Sequence, residues 1–314
     1  MKMYASLPES YRTGALFSVL ALCWGTSFVA IEIGLEYVPP LLFAGLRYAL
    51  AGAIVFGYAY VVTDRLWPNG RDEWLAVAVA AVFVIALYHA LLYVGELYVP
   101  GAIAATIVSL TPILTAAFAG AVIPDERLST LGVVGLLLGL VGVVAVAQPT
   151  PASLGGDLTF GVALVFASAV AFAIGSVLLR PLQTGLPLET LQAWAMVLGA
   201  GVLLGWALVR GESVSAIEPT LPALVSFLYL TLVSGVFAFL LYFELLDRSG
   251  PTQVNLVGYA EPAVAMVVSA AILGYVVDSL AIVGLLIILA GFVLVKGETL
   301  RNVLRSGLER HVRG

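Results

Sequence analysis

The side chains of this chain that could do chemistry are a few ionisable groups inside long apolar stretches. Glu261 lies about ten residues into the apolar stretch 251–275, and the next residue, Pro262, has no N–H to donate to the carbonyl of Gly258. A carboxyl beside a freed carbonyl could bind an ammonium group, a cation or a proton. The alternative is a neutral, hydrogen-bonded structural glutamate. We prefer the functional interpretation, because ionisable groups deep in apolar segments are expensive and mark functional sites.

A second proline marks a similar position in the apolar stretch 101–123. Pro112 follows Thr111 there, and the carbonyl of Val108 loses its helical donor by the same argument. Proline kinks are often purely structural in membrane helices. Because the two prolines stand in corresponding places, we predict that Pro112 and Pro262 mark a hinge or the wall of a cavity.

Three polar residues share one face of a predicted helix over 74–97. His89, Tyr93 and Glu96 are spaced i, i+4 and i+7, which places them on one side of the helix. Such a stripe on an otherwise apolar helix should face the protein interior or a water-filled cavity. His89 fits a structural histidine and a solute contact equally well, whereas Glu96, near the helix end, fits a gate or a surface role better.

Arg47 lies about eight residues into the stretch 39–62 and could reach Glu32 or Glu36 at the end of the preceding stretch. A structural ion pair is slightly preferred over an anion-binding role. In the stretch that contains Glu261, Asn255 and Tyr259 lie one helical turn apart and could share the lining of a cavity.

Composition determines the elements that must position these residues. Of 314 residues, 61% are hydrophobic and 11% charged, whereas an ordinary soluble domain has about 25% charged residues. Apolar runs of the length that crosses a bilayer as helix, about 20 residues, predict an all-α integral membrane protein of ten transmembrane helices. The predicted spans are 13–33, 39–62, 74–97, 101–123, 130–148, 158–179, 189–209, 222–246, 251–275 and 279–296.

The basic residues predict the orientation of these spans. With a cytoplasmic N-terminus, only Arg210 falls on the outer side and Arg47 lies within a span. The cytoplasmic segments then hold Lys2, Arg12, Arg65, Arg71, Arg127, Arg180, Arg248, Lys296, Arg301, Arg305, Arg310 and Arg313. This bias follows the positive-inside rule. It predicts a multi-pass protein of the cell membrane with both termini in the cytoplasm.

The second half of the chain repeats the first. When 93–146 is placed over 242–295, Pro112 falls on Pro262, Gly135 on Gly284 and Gly142 on Gly291, at offsets of 149 to 150. Each half holds five spans, an odd number, so the second copy must cross the membrane in the opposite sense. The sequence therefore predicts an inverted 5+5 repeat, with repeats at 1–150 and 151–298 and a basic cytoplasmic tail at 299–314.

The order of several short motifs resembles that of the EamA-like, ten-helix branch of the drug/metabolite transporter superfamily. The motifs are WGTSFVA at 24–30, LRYALA at 46–51, the stretch 104–112, DERLS at 125–129 and the second-half echo from Tyr242 through Pro262 to Gly291. The resemblance implies a central cavity lined by the first, third, fourth, sixth, eighth and ninth helices, and alternating access. It thereby places Trp24 and Ser27, in the first motif, among the cavity residues.

These features predict a secondary transporter or exporter of a small polar metabolite, an amino acid or similar. The alternatives are an intramembrane enzyme using Glu261 and His89 as acid and base, or a receptor; the missing GxxxxGK[ST], HExxH and GxSxG patterns disfavour an enzyme. The expected partners are the solute, the lipid bilayer and a second copy of the chain, and not a nucleic acid. With Cys23 the one cysteine, we expect no disulfide, metal or cofactor.

Overall fold

The computed structural model describes residues 9–123, 128–148, 156–182, 185–254 and 256–312, and all elements in those ranges are helices and connecting loops. Three of the helices are divided into segments. The helices are α1 (Glu9–Leu35), α2 (Pro40–Val62), α3 (Gly70–Val79, Ala80–Leu87 and Tyr88–Gly95), α4 (Gly101–Val108 and Thr111–Val122), α5 (Thr130–Ala147), α6 (Asp157–Leu179), α7 (Leu188–Val209), α8 (Leu221–Leu228, Tyr229–Phe237 and Ala238–Val254), α9 (Val257–Ile272) and α10 (Ser279–Val312).

Eight of these helices are long and apolar enough to cross a membrane, and α9 and the first part of α10, Ser279–Val295, are shorter apolar helices. The chain is therefore a multi-pass membrane protein. With 16 residues, α9 extends about 24 Å at 1.5 Å per residue, less than the hydrocarbon thickness of about 30 Å. The ten full-length spans predicted from hydropathy thus reduce to eight that meet the length criterion.

The end of α8 explains much of this difference. The sequence predicts a loop between 246 and 251, but α8 continues to Val254, so the first residues of the predicted ninth span belong to the preceding helix. Arg248 donates to the Glu244 carboxylate one turn earlier at 2.6 Å. A pair at i, i+4 stabilises helix, which favours continuation over the predicted loop.

The two proline-marked positions differ in local structure. In α4 the helix breaks at Ser109 and Leu110, just before Pro112. The Val108 carbonyl, which would bond to residue 112 in a regular helix, accepts instead from the Thr111 hydroxyl at 2.6 Å. In the second half α9 begins at Val257, and Pro262 lies inside it.

Two segments of π-helix lie at corresponding places in the halves. Ala80–Leu87 interrupts α3 and Tyr229–Phe237 interrupts α8, at starting positions 149 residues apart. This separation equals the offset of the sequence repeat. Segments of π-helix are rare and occur often at functional sites, so their paired occurrence directs attention to the region where α3 and α8 meet α2.

Glycines allow α5 and α10 to pack in close contact. A Cβ on Gly142 would lie 2.7 Å from the carbonyl oxygen of Gly284, and Gly135 is packed against the backbone of Gly291 in the same way. The two helices therefore run antiparallel, with Gly135 facing Gly291 and Gly142 facing Gly284. Close backbone approach at small residues is the usual way in which membrane helices associate.

Hydrogen bonds between loops and helix ends fall into two sets. One set joins Tyr37 with Glu218, Leu42 with Glu212, Glu32 with Gly101, and Gln148 with Asp278. The other joins Thr63 and Arg65 with Thr190, and Leu66 with Trp194. Each set contains only segments that the sequence analysis places on the same side of the membrane.

Candidate functional site

A buried polar cluster lies where α2, α3 and the π-helical segment of α8 meet, and Arg47 is at its centre. The arginine is 4% exposed. Its Nη2 donates to the Tyr48 hydroxyl at 2.7 Å and its Nη1 to the carbonyl oxygen of Leu230 at 3.3 Å. The guanidinium carbon lies 4.2 Å from the ring centroid of Tyr48 and 5.5 Å from that of Tyr93. Both distances are in the range of cation–π contacts.

Arg47 forms no ion pair with a described carboxylate, so the predicted pair with Glu32 or Glu36 is not present. The guanidinium points instead to Tyr48 and α8, and Glu32 accepts a hydrogen bond from the backbone N–H of Gly101 at 2.8 Å. Glu32 thereby caps the N-terminus of α4, where backbone donors lack helical partners. The Arg47 Nε atom is buried without a hydrogen-bond partner.

The Tyr48 hydroxyl connects Arg47 to His89. The hydroxyl oxygen lies 2.6 Å from His89 Nε2, and His89 Nδ1 lies 2.8 Å from the carbonyl oxygen of Ile85. A carbonyl only accepts, so Nδ1 carries a proton; Arg47 only donates, so the Tyr48 oxygen accepts from it and is free to donate to Nε2. We assign a neutral imidazole on this basis. Both ring nitrogens are engaged, which leaves His89 no free nitrogen for acid–base work.

Aromatic rings surround this chain of hydrogen bonds. The His89 ring lies between those of Tyr48 and Tyr88, with both centroid distances at 4.5 Å. Tyr93 packs edge-on against Phe43 at 5.6 Å, and its buried hydroxyl has no hydrogen-bond partner. Aromatic contacts of this kind stabilise a fixed arrangement of the polar groups.

Two carboxyl groups flank the cluster. Glu96 is 5% exposed, neither of its oxygens has a hydrogen-bond partner, and it lies within electrostatic reach of Arg47 and Glu32. Glu261, on α9, is half-buried and lies within electrostatic reach of the Tyr88 hydroxyl. No described residue hydrogen-bonds to the Glu261 carboxyl or forms an ion pair with it. The cluster thus has one buried cation at its centre and two carboxyl groups nearby that form no hydrogen bond with a described residue.

Other predicted cavity residues lie away from Arg47. Trp24 donates to the carbonyl oxygen of Ser234 at 3.3 Å, and Ser27 donates to the Trp24 carbonyl oxygen at 2.5 Å. Tyr259 packs on the Phe292 ring at 4.0 Å and has a buried hydroxyl without a partner. Thr111 bonds locally within α4, and Asn255 lies outside the described residues.

The sequence profile of the EamA-like transporter family matches this chain twice, over residues 12–148 and 159–297. The chain belongs to the EamA-like transporter family. One relative is the uncharacterized transporter YvbV of Bacillus subtilis, which is 29% identical over 93% of this chain and 94% of the relative. The uncharacterized inner membrane transporter YedA of Escherichia coli K12 is 28% identical over 90% and 89%.

A further relative of the EamA-like chain is named "Probable amino-acid metabolite efflux pump", from Salmonella typhimurium, with 26% identity over 94% of this chain and 99% of the relative. One solved crystal structure has a TM-score of 0.63 at 21% sequence identity and covers 90% of this chain and 96% of its own. That likeness shows a shared fold. The relatives place the EamA-like chain among membrane transporters of the drug/metabolite transporter superfamily.

Sequence reasoning missed two members of the cluster in this EamA-like protein. Tyr48 directly follows Arg47, and Tyr88 directly precedes His89. Adjacent residues do not share a helix face, so the search for stripes at helical spacing passed over them. The signal that would have found them is the tyrosine beside each buried basic residue. The Leu230 carbonyl left no trace in the sequence, because every residue has a backbone carbonyl and only the fold determines which one meets Arg47.

The cluster is closed in this conformation of the EamA-like protein. Arg47 and His89 in the cluster, and Glu96 beside it, are 4 to 8% exposed. A cavity of about 430 Å³ lies elsewhere, at the ends of α2 and α7 beside Leu42, Leu204 and Glu212. The Leu42 N–H donates to Glu212 at its edge, so it is a gap between a loop and two helices rather than a path to Arg47. In the described ranges no three His, Cys, Asp or Glu residues form a metal site.

Proposed function

We propose that this EamA-like protein is a secondary transporter that exports a small polar metabolite by alternating access, from a site at the Arg47 cluster and Glu261. The observation that carries this proposal is the polar cluster enclosed by apolar helices, closed to solvent and flanked by unbonded carboxyls. Charged groups in such places are expensive. A solute that pairs with them while the protein opens to each side in turn supplies the compensation.

The proposed architecture is an inverted repeat of two five-helix halves that crosses the membrane ten times in the cell membrane, with both termini in the cytoplasm. The loop contacts support it, since they join only segments assigned to one side. The glycine pairs of α5 and α10 support it as well. Gly135 corresponds to Gly284 and Gly142 to Gly291, and Gly135 faces Gly291 while Gly142 faces Gly284. This exchange of partners is the property of a two-fold axis between matching elements.

The two halves of such a repeat can exchange conformations and so expose a shared midplane site to alternate sides. The broken helices fit this role. The break in α4 lies beside Pro112, and the break before α9 lies one and a half turns ahead of Pro262. Backbone interruptions at membrane depth occur where they line a cavity or are buried in protein. We propose that these breaks allow the two bundles to move past each other.

Glu261→Gln tests the proposed transport site. The substitution removes the negative charge and keeps the size of the side chain, so we expect solute flux into proteoliposomes to fall at least tenfold, the effect of about 1.4 kcal/mol. Membrane insertion and thermal stability should stay within 1 kcal/mol, roughly. The measurement is uptake of a panel of radiolabelled amino acids by purified, reconstituted protein.

The matched control is Glu244→Gln, which changes an exposed glutamate that pairs with Arg248 at the end of α8. We expect this variant to transport as the wild type does, because exposed ion pairs contribute little. Wild-type flux in Glu261→Gln would remove Glu261 from the transport site. Absence of flux for the whole panel in the wild-type protein would contradict the proposed substrate class.

A further inference from the structure

Arg47 is a buried cation whose counter-charge is absent from the described part of the molecule. Its side chain is 4% exposed and forms no ion pair with a described carboxylate. Burying a guanidinium without a paired anion carries a large desolvation penalty. The faces of the Tyr48 and Tyr93 rings offset part of this penalty by cation–π attraction. Glu96 lies within electrostatic reach of Arg47 but forms no ion pair with it. A negative charge that arrives from outside the helix bundle would offset the remainder.

The hydrogen-bonding capacity around Arg47 is also only partly used. A guanidinium has five N–H donors in a planar fork. In the structure one contact goes to the Tyr48 hydroxyl and one to the Leu230 carbonyl, and Nε has no partner. The buried hydroxyls of Tyr93, whose ring lies beside the guanidinium, and of Thr231, the next residue after Leu230, are unpartnered too. These unsatisfied atoms are the ones that an incoming acceptor group would satisfy.

We propose that Arg47 binds the carboxylate of the transported solute, so that the protein selects small organic molecules that carry this group. The proposal rests on the proposed transport function and specifies its substrate class. A planar carboxylate matches the guanidinium fork with two parallel hydrogen bonds, which gives both geometric selection and charge compensation. The Tyr93 ring lies beside the guanidinium and its hydroxyl is unbonded, so this hydroxyl is a candidate second donor to the same anion.

The position of Glu96 supports this assignment over a purely structural arginine. Glu96 lies within electrostatic reach of Arg47, yet the two side chains form no ion pair and both Glu96 oxygens are left without partners. A structural arginine would take the nearest carboxylate. An arginine whose Nε stays unbonded beside a carboxyl group remains open to an external carboxylate, and Glu96 then limits binding to ligands that outcompete it.

Two solute types share this chemistry, a simple carboxylate and an α-amino acid. In the second case Glu261, which lies within electrostatic reach of Tyr88, would take the ammonium group. A set of matched compounds separates the two types. For each amino acid tested, the set contains the acid itself, its primary amide, and the deaminated acid of the same skeleton.

Ligand binding to the purified protein in detergent tests the carboxylate site without requiring transport. Binding is measured as the rise in thermal stability that the ligand produces. We expect at least one acid to stabilise the wild-type protein and its amide to require at least tenfold more ligand for the same shift. Arg47→Gln should remove this preference for the acid. Arg47→Lys, which keeps a cation between the tyrosines but loses the fork, should retain part of it and carries the test if the glutamine variant does not fold.

The control is Arg65→Gln, which removes an arginine of the α2–α3 loop that pairs with Glu73 and should leave the acid preference unchanged. An acid preference that persists in the Arg47 variants, or a wild-type protein stabilised by no carboxylate in the set, would overturn the proposal. Carboxylate binding that depends on Arg47, in a protein that shows no flux, would instead overturn the proposed transport function alone. Loss of binding to amino acids but not to deaminated acids in Glu261→Gln would identify the amino-acid type.

Discussion

The two halves of this molecule share a scaffold and differ in chemistry. Both have a π-helical segment in the third helix of the half and a glycine-lined fifth helix. The polar cluster, however, takes its side chains from α2 and α3 of the first half. In the second half, α8 contributes the backbone carbonyl of Leu230, and α9 contributes Glu261 at the side.

The corresponding side chains of the second half are apolar and buried. The helices α2 and α7 both begin after a proline, at Pro39 and Pro187. Alignment of these prolines sets Ala195 against Arg47 and Met196 against Tyr48. Alignment of the two π-helical segments sets Ala238 against His89 and Leu245 against Glu96. The four residues of the second half are 0 to 1% exposed. A symmetric scaffold suits two bundles that exchange conformations, whereas a solute has no such symmetry. Packing positions are thus duplicated between the halves, whereas the polar groups of the cluster occur in one copy.

Substitution of the glycines between α5 and α10 should give the largest loss of stability, and it tests whether the two halves share a symmetric scaffold. Gly142→Leu and Gly291→Leu each place a large side chain at corresponding positions of the α5–α10 interface. A Cβ at residue 142 would lie 2.7 Å from the Gly284 oxygen, and at residue 291 it would meet the Gly135 backbone and lie 3.0 Å from the Gly139 nitrogen. Overpacking of this kind costs about 2–3 kcal/mol. We expect the two variants to lose equal thermal stability in detergent.

Gly57→Leu provides the control for the change in helix propensity and bulk, because nothing lies within 4 Å of a Cβ on Gly57 in α2. Its stability should change little or rise slightly, since leucine favours helix over glycine. A large loss of thermal stability in only one of the two interface variants would show that α5 and α10 are not equivalent, and would contradict the shared scaffold of the two halves.

Hydropathy and the repeat predicted most of this scaffold from the sequence, because apolar length and paired glycines are written directly in the residue types. They did not predict the end of α8, where the Glu244–Arg248 pair favours helix over the expected loop. Nor did they predict the π-helical segments. The stretch Ala80–Leu87 is apolar throughout and packs against α6 and α7, so its residue types carry no signal for a change of hydrogen-bond pattern.

The site was partly accessible to the same reasoning. Spacing on one helix face identified His89, Tyr93 and Glu96, and all three are buried on the inner side of α3. The partner of Arg47 was inferred from proximity along the chain, which offered Glu32 or Glu36. The structure gives Glu32 to the N-terminus of α4 instead, because an unsatisfied backbone donor competes for the same carboxylate. Such competition between distant segments is decided in three dimensions.

The buried carboxyl of Glu96, which has an apolar counterpart in the second half, is expected to lower the stability of the protein. Glu96→Leu installs at residue 96 the side chain that the second half has at Leu245. Both Glu96 oxygens are buried without hydrogen bonds, and burial of an unpaired polar group costs about 1–3 kcal/mol. We therefore expect Glu96→Leu to raise the free energy of unfolding by roughly 1–2 kcal/mol, measured by denaturant unfolding in detergent.

Glu32→Leu is the matched control in the same corner of the molecule. Its carboxylate accepts from the Gly101 N–H at 2.8 Å, so the leucine variant should be destabilised by about 1 kcal/mol, the contribution of one such bond. Opposite signs for the two variants would sharpen the contrast between a bonded and an unbonded carboxyl. A destabilised Glu96→Leu would mean that Glu96 has a structural partner and would remove it from the asymmetric set.

The smallest expected effect concerns the two proline-marked helices. In α4 the Val108 carbonyl has lost its helical donor to Pro112, and the Thr111 hydroxyl replaces it at 2.6 Å. At the corresponding position of α9 stands Glu261, whose carboxyl has no such bond. Thr111→Val keeps the shape of the side chain and leaves the carbonyl unsatisfied, so it should cost about 1 kcal/mol of unfolding free energy. The same denaturant measurement in detergent detects this change.

Thr115→Val is the control within the same helix, because its hydroxyl donates to the Thr111 carbonyl at 2.9 Å in a turn whose backbone bonds are complete. There the hydroxyl is a second donor, and its loss should change the unfolding free energy by less than about 0.5 kcal/mol. Equal losses in the two threonine variants would mean that the Val108 carbonyl finds another donor. If only Thr111→Val loses stability, and the protein still prefers acids to their amides, then the Thr111 hydroxyl has a structural role at the break in α4. Of the two residues that precede the prolines, Glu261 would then be the one whose polar group is free to contact a solute.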